Sequence, residues 1–161
     1  MALSSYTAGR RLRASELNAM VTKVNALALP PQCKVRRAAA QSIVTATATL
    51  VSWDTEDIDT DAMFAPTSTD VTIKTAGVYV AVLGGTIAGA SGLKVWEILK
   101  NGVTQVPSAT TGPDTAAQAG RTNAVVEMAC VVNDVIRGQV FHNVGSNQNM
   151  TGAMWVWKVS D

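Results

Sequence analysis

Two kinds of apolar spacing divide this chain near residue 31. Between residues 15 and 28, Leu17, Met20, Val24 and Leu27 recur at alternating three- and four-residue steps, the seam of an amphipathic helix. Ser15 is placed to cap it, and Glu16 falls in the first turn, where the helix dipole favours an acid. Leu29-Pro30-Pro31 ends it, since neither proline can continue a helix. From residue 33 the period drops to two. Strands are predicted at 33–40, 43–52, 70–75, 77–88, 93–100, 103–108, 121–131, 134–143 and 152–159. In the second of these, Thr45, Thr47 and Thr49 alternate with Ala46, Ala48 and Leu50, so one face is wet. Along 77–83, Val78, Val80 and Val82 point one way and Tyr79, Ala81 and Leu83 the other. Both faces are apolar, so both need cover. In a one-domain β protein the second cover is another sheet or another subunit. The pattern therefore predicts a β-sandwich that oligomerises.

Asn101-Gly102 is the strongest hairpin turn in the sequence, and the polar stretches 109–120 and 144–151 are expected as loops. Several of these segments together resemble a family. Trp53-Asp54-Thr55-Glu56, Asp59-Thr60-Asp61-Ala62-Met63, the Val71-Thr72-Ile73 strand and Ala76-Gly77-Val78-Tyr79-Val80 look like the globular head of complement-like proteins, which are tumour-necrosis-factor-like jelly rolls. Lys100-Asn101-Gly102, Val132-Asn133-Asp134-Val135-Ile136 and the closing Gly152-Ala153-Met154-Trp155-Val156-Trp157 extend the resemblance over residues 33–161. Asn133 stands where that family carries glycine, and asparagine enters the left-handed region more readily than most residues. The aromatic-Ser-Gly-aromatic of the family's last strand is only partly present. The resemblance implies a homotrimer, with Tyr79, Ala81, Leu83, Trp155 and Trp157 lining a threefold interface. It also offers the short helix a choice between lying on its own domain and packing with two copies around an axis. Further upstream, Tyr6 to Asn18 is similar to a stretch near the start of many tailed-bacteriophage virion proteins.

Composition fits one globular domain, with 47% hydrophobic and 16% charged residues in 161. The longest apolar run, Val78 to Leu83, is far short of the ~20 residues a membrane helix needs. Arg10, Arg11 and Arg13 precede an amphipathic stretch and not a continuous apolar one, so no secretory signal is expected and synthesis is placed in a host cytoplasm. Cys33 and Cys130 are accordingly expected as buried thiols first and as a bridge only second. Charge is uneven. Residues 1–37 hold seven Lys and Arg against Glu16, a balance of +6, which against the total of +1 leaves −5 for the rest. A basic arm on an acidic body predicts docking on a negative partner. Without aromatics among the arginines for base stacking, an acidic protein surface fits better than nucleic acid.

Little in the sequence carries chemistry. Asp54, Glu56, Asp57, Asp59 and Asp61 lack the sixth-position Gly and twelfth-position Glu of an EF-hand, so they read first as turn caps and only second as a cation site. His142 is the single histidine and reads as structural. No Gly-x-Ser-x-Gly, P-loop or metal-spaced Cys/His pattern occurs. Asn149-Met150-Thr151 matches a glycosylation acceptor by chance in a chain without a secretory signal.

These readings converge on an all-β jelly roll at 32–161 behind an anchor at 1–31, forming a homotrimer and needing no cofactor. The expected function is a non-enzymatic bacteriophage virion protein, a decoration protein on the head surface. Its anchor, Arg10, Arg11, Leu12, Arg13, Leu17, Met20, Val24 and Leu27, would grip the major capsid protein or another virion protein. The alternative is a receptor-binding module of a tail fibre or tail tip, with a host-surface ligand. A short one-helix anchor favours the capsid.

Overall fold

A computed structural model describes residues 13–88, 92–112 and 120–161. The chain divides into two compact units, 1–30 and 31–161. The first holds one helix, α1 (Ala14–Ala28). Its cap is Arg13, two residues earlier than Ser15 suggested. The Arg13 carbonyl accepts from the amides of Glu16 and Leu17, and the Arg13 amide donates to Glu16 Oε2 at 2.9 Å. Glu16 thus supplies the return half of a capping box.

The second unit is two antiparallel sheets. Its strands are β1 (Gln32–Ile43), β2 (Thr49–Leu50), β3 (Thr55–Asp59), β4 (Asp70–Thr72), β5 (Gly77–Ile87), β6 (Gly92–Lys100), β7 (Val103–Gly112), β8 (Gly120–Cys130), β9 (Val135–His142) and β10 (Gln148–Ser160). One sheet runs β3-β1-β10-β5-β8 and the other β2-β9-β6-β7, with β4 also on β9. Chain neighbours are therefore mostly not sheet neighbours, as in a jelly roll. The core between the sheets takes alternate residues of the longer strands, among them Val35, Leu83, Met154 and Val156 from one sheet and Trp96, Ile98, Ile136 and Val140 from the other.

Close packing of the two sheets depends on missing side chains. Gly85 and Gly152 are cross-strand partners on β5 and β10. A Cβ on Gly85 would lie 2.7 Å from the Trp96 ring, and one on Gly152 2.9 Å from it. The glycine pair is the seat of Trp96. Gly138 does the same for Trp53 and Leu83, each 3.0 Å from where its Cβ would be.

One predicted strand breaks for a local reason, and one strand forms where none was predicted. The predicted 43–52 strand breaks after Ile43. Ala46 takes φ 56°, its amide donates to the His142 carbonyl, and only Thr49–Leu50 pair again. Conversely, Thr55–Asp59 forms a strand at a sheet edge, where Glu56 and Asp57 can face water. β7 reaches Gly112 and β8 starts at Gly120, while 113–119 of the expected 109–120 loop lie outside the described residues.

The turn chemistry follows the sequence. Asn101 and Gly102 both have positive φ, 52° and 81°, and Asn133 has 73°. These two turns are joined: Asn101 Nδ2 donates to Asp134 Oδ1 at 2.7 Å, and the Val135 amide to Asn101 Oδ1 at 2.9 Å. Asp134 Oδ2 accepts from the Val131 amide at 2.9 Å and lies 3.3 Å from Lys100 Nζ. The Asn101 side-chain amide and the Val131 amide hold the Asp134 carboxyl below the usual range, with Lys100 adding. Replacing Asp134 with Ala leaves these donors without their acceptor. It is expected to cost about 3 kcal/mol and roughly 10 °C of melting temperature, read by circular dichroism. Because the carboxyl is depressed in the fold, its contribution is present above the unfolded value of about 4 and fades as pH falls below it. A melting curve unchanged by Asp134→Ala would show the staple to be idle.

Candidate functional site

The exposed side of the β3-β1-β10-β5-β8 sheet is the unusual surface of this molecule. Cross-strand partners share a face, so the pairing lays out three rows across β1, β10, β5 and β8. They are Gln32–Trp157–Val80–Glu127, Lys34–Trp155–Val82–Val125 and Arg36–Ala153–Gly84–Asn123. The centre is apolar. Val80, Val82 and Trp157 are half-buried, Trp155 is 40% exposed and Val125 57%. The two indoles touch, their centroids 4.9 Å apart and planes tilted 45°. Beside them, where Gly84 and Ala153 present almost no side chain, lies an open depression of about 550 Å³ between Arg36 and Asn123.

This arrangement corrects part of the expected interface. Tyr79, Ala81 and Leu83 face the core and are fully buried within one chain, so they meet no second subunit. The Tyr79 hydroxyl donates to the Thr75 carbonyl at 2.7 Å, and burial pushes it up to about 12. The face left open on β5 is the other one, Val78, Val80 and Val82. Trp155 and Trp157 do point outward, opposite Met154 and Val156, and pair with Val82 and Val80. Val80, Val82 and Val125 lie on this open face and were not among the residues expected there. Their signal was weak but present: the even-numbered face of β5 continues into Thr86, a polar residue.

The acidic segment is built of caps and pairs. Asp54 accepts from the Ala38 and Ala39 amides at 2.8 Å, which holds its carboxyl below the usual range. Asp59 accepts from the amides of Asp61, Met63 and Phe64 at 3.2, 3.0 and 2.9 Å. Asp57 pairs with Arg36 Nε at 2.7 Å and Lys34 Nζ at 3.7 Å. Among the described residues no group of three His, Cys, Asp or Glu could hold a metal ion. The pairing also redraws the basic arm: Lys34 and Arg36, with Arg37 3.6 Å from Asp54, belong to β1 and not to the anchor. Residues 1–31 keep four cations against Glu16.

His142 is buried, with Nε2 3.0 Å from the Ile43 carbonyl and Nδ1 accepting from the Val144 amide at 3.4 Å. Both nitrogens serve the fold. Cys33 and Cys130 are buried free thiols. Burial pushes Cys33 up to about 12 and raises Cys130, so neither is a ready thiolate.

In the first unit, Leu17, Met20 and Val24 are exposed along α1 at 50%, 41% and 60%. Arg13 is the cap described above. Arg10, Arg11, Leu12 and the side chain of Leu27 lie outside the described residues.

No protein-family model matches this chain, and neither does any curated protein. Solved structures do. The globular domain of zebrafish complement 1qA protein superposes with a TM-score of 0.64 at 13% identity, covering 80% of this chain and 97% of that one. Murine APRIL at pH 8.0 gives 0.62 at 10% identity, covering 80% and 98%. Each is covered over nearly its whole length. The chain has the jelly-roll fold of the tumour-necrosis-factor and C1q type.

Proposed function

We propose that this chain is a trimeric, non-enzymatic building block of a bacteriophage particle, decorating the capsid surface through residues 1–31. The observation that carries the reading is the open apolar sheet face with Val80, Val82, Val125, Trp155 and Trp157. An exposed cluster of that kind marks a protein contact, and two further copies would cover it. The helix supports the anchor. Leu17, Met20 and Val24 form an exposed stripe, and four cations stand against a single acid in residues 1–31. Apolar burial with electrostatic attraction is what a docking peptide needs. The Tyr6–Asn18 resemblance to virion proteins points to the particle.

Removing residues 1–31 tests the anchor. The truncated protein is expected to stay folded and soluble, since residues 31–161 form their own compact unit, and to lose binding to purified phage particles in a co-sedimentation assay. Leu17→Asp with Val24→Asp in the full chain should do the same. If the truncated protein still decorates particles at full occupancy, attachment runs through the jelly roll and the assignment fails.

A further inference from the structure

The open sheet face has two chemically different flanks. Along β1 stand Lys34 and Arg36, with side chains 39% and 45% exposed. Asp57 is the one carboxylate that both of them pair with among the described residues. Asp54 and Asp59 accept from backbone amides, and the exposed Glu56 stands across from Val35, whose side chain is on the core side of β1. Along β8, the exposed Glu127 makes no ion pair or hydrogen bond among the described residues. β1 and β8 are three strand spacings apart in one chain, about 14 Å, too far for Glu127 to reach Lys34 or Arg36 of its own copy.

We propose that Glu127 on the β8 flank of one copy pairs with Lys34 and Arg36 on the β1 flank of the next. This rests on the trimer reading above and adds what sets its register. In a cyclic assembly each copy presents one flank to the neighbour on one side and the other flank to the neighbour on the other. The valines and tryptophans between the flanks supply apolar burial without direction. Val80, Val82, Trp155 and Trp157 could slide by one row and still be covered. A carboxylate against two cations cannot, because a slipped register leaves both charges desolvated and unpaired.

Charge reversal in the full chain tests this by analytical ultracentrifugation. Glu127→Lys alone and Lys34→Glu alone are each expected to raise the concentration of half-assembly by about tenfold or more, from like-charge contact. Combining the two should restore assembly toward the unaltered protein. Glu127→Gln guards against misfolding of Lys34→Glu, because it removes only one exposed charge. It should assemble more weakly than the parent and lose the parent's sensitivity to salt between low and physiological ionic strength. Single reversals that assemble like the parent, or a pair without rescue, overturn the proposal while leaving the trimer intact. A parent protein that is monomeric overturns the trimer reading and this proposal with it.

Discussion

Replacing Trp155 with Asp is expected to convert the assembly into folded monomers. Trp155 lies at the middle of the open face, paired with Lys34 on one side and Val82 on the other, and stacks against Trp157. It is already 40% exposed in the single chain, so an aspartate there costs the fold little. In the covered face it would bury a carboxylate among Val80, Val82 and the neighbouring copy's apolar centre. Even beside Lys34, taking a carboxylate out of water costs several kcal/mol, and in a trimer it is introduced three times. Dissociation should therefore be complete at micromolar concentration, with an unchanged far-ultraviolet spectrum. Val125→Asp, on a residue 57% exposed, should act the same way. Tyr79→Asp provides the contrast. Its side chain is in the core, so it should unfold the domain and not merely separate subunits. If Trp155→Asp and Val125→Asp both remain assembled, the contact lies elsewhere.

Gly85→Ala is expected to destabilise the jelly roll strongly although it adds only one methyl. The added Cβ meets the Thr151 carbonyl, the Gly152 Cα at 2.6 Å and the Trp96 ring at 2.7 Å. The first two are backbone of the paired strand and cannot move without breaking the β5–β10 ladder. Overpacking usually costs about 1–3 kcal/mol. With backbone on two sides the upper end applies, about 3 kcal/mol, or roughly 10 °C in melting temperature. Gly138→Ala should be milder, because its Cβ meets only the Leu83 and Trp53 side chains, at 3.0 Å. Thermal melts of the two variants check the ranking. Equal losses would mean that Trp96 can leave its glycine seat.

The sequence made the sandwich legible wherever backbone chemistry is local. Asn101-Gly102 announces its turn because both positions need positive φ, and Asn133 stands in for a glycine for the same reason. The alternation in β10 correctly separated Met154 and Val156 from Trp155 and Trp157. What it could not give was which face of β5 is which. Both faces of 78–83 are apolar, and the choice is set by register with β10, some seventy residues away, and by the core position of Tyr79. A tyrosine suits an interface as well as a core, so the amphipathic residue misled. β3 was missed because its edge position allows acidic residues that read as loop. The break at Ala46 was missed because nothing in an alanine signals a left-handed turn. Even the charge asymmetry was legible only in sum, since Lys34, Arg36 and Arg37 proved to be strand residues answering Asp54 and Asp57.

The trimer is the claim on which the anchor, the charge register and the role of the open face all depend. Light scattering on the intact 161-residue chain, coupled to size-exclusion chromatography, measures it directly. The expected result is a single species at three times 16.8 kDa that persists at micromolar concentration. A stable species of 16.8 kDa under the same conditions would contradict it.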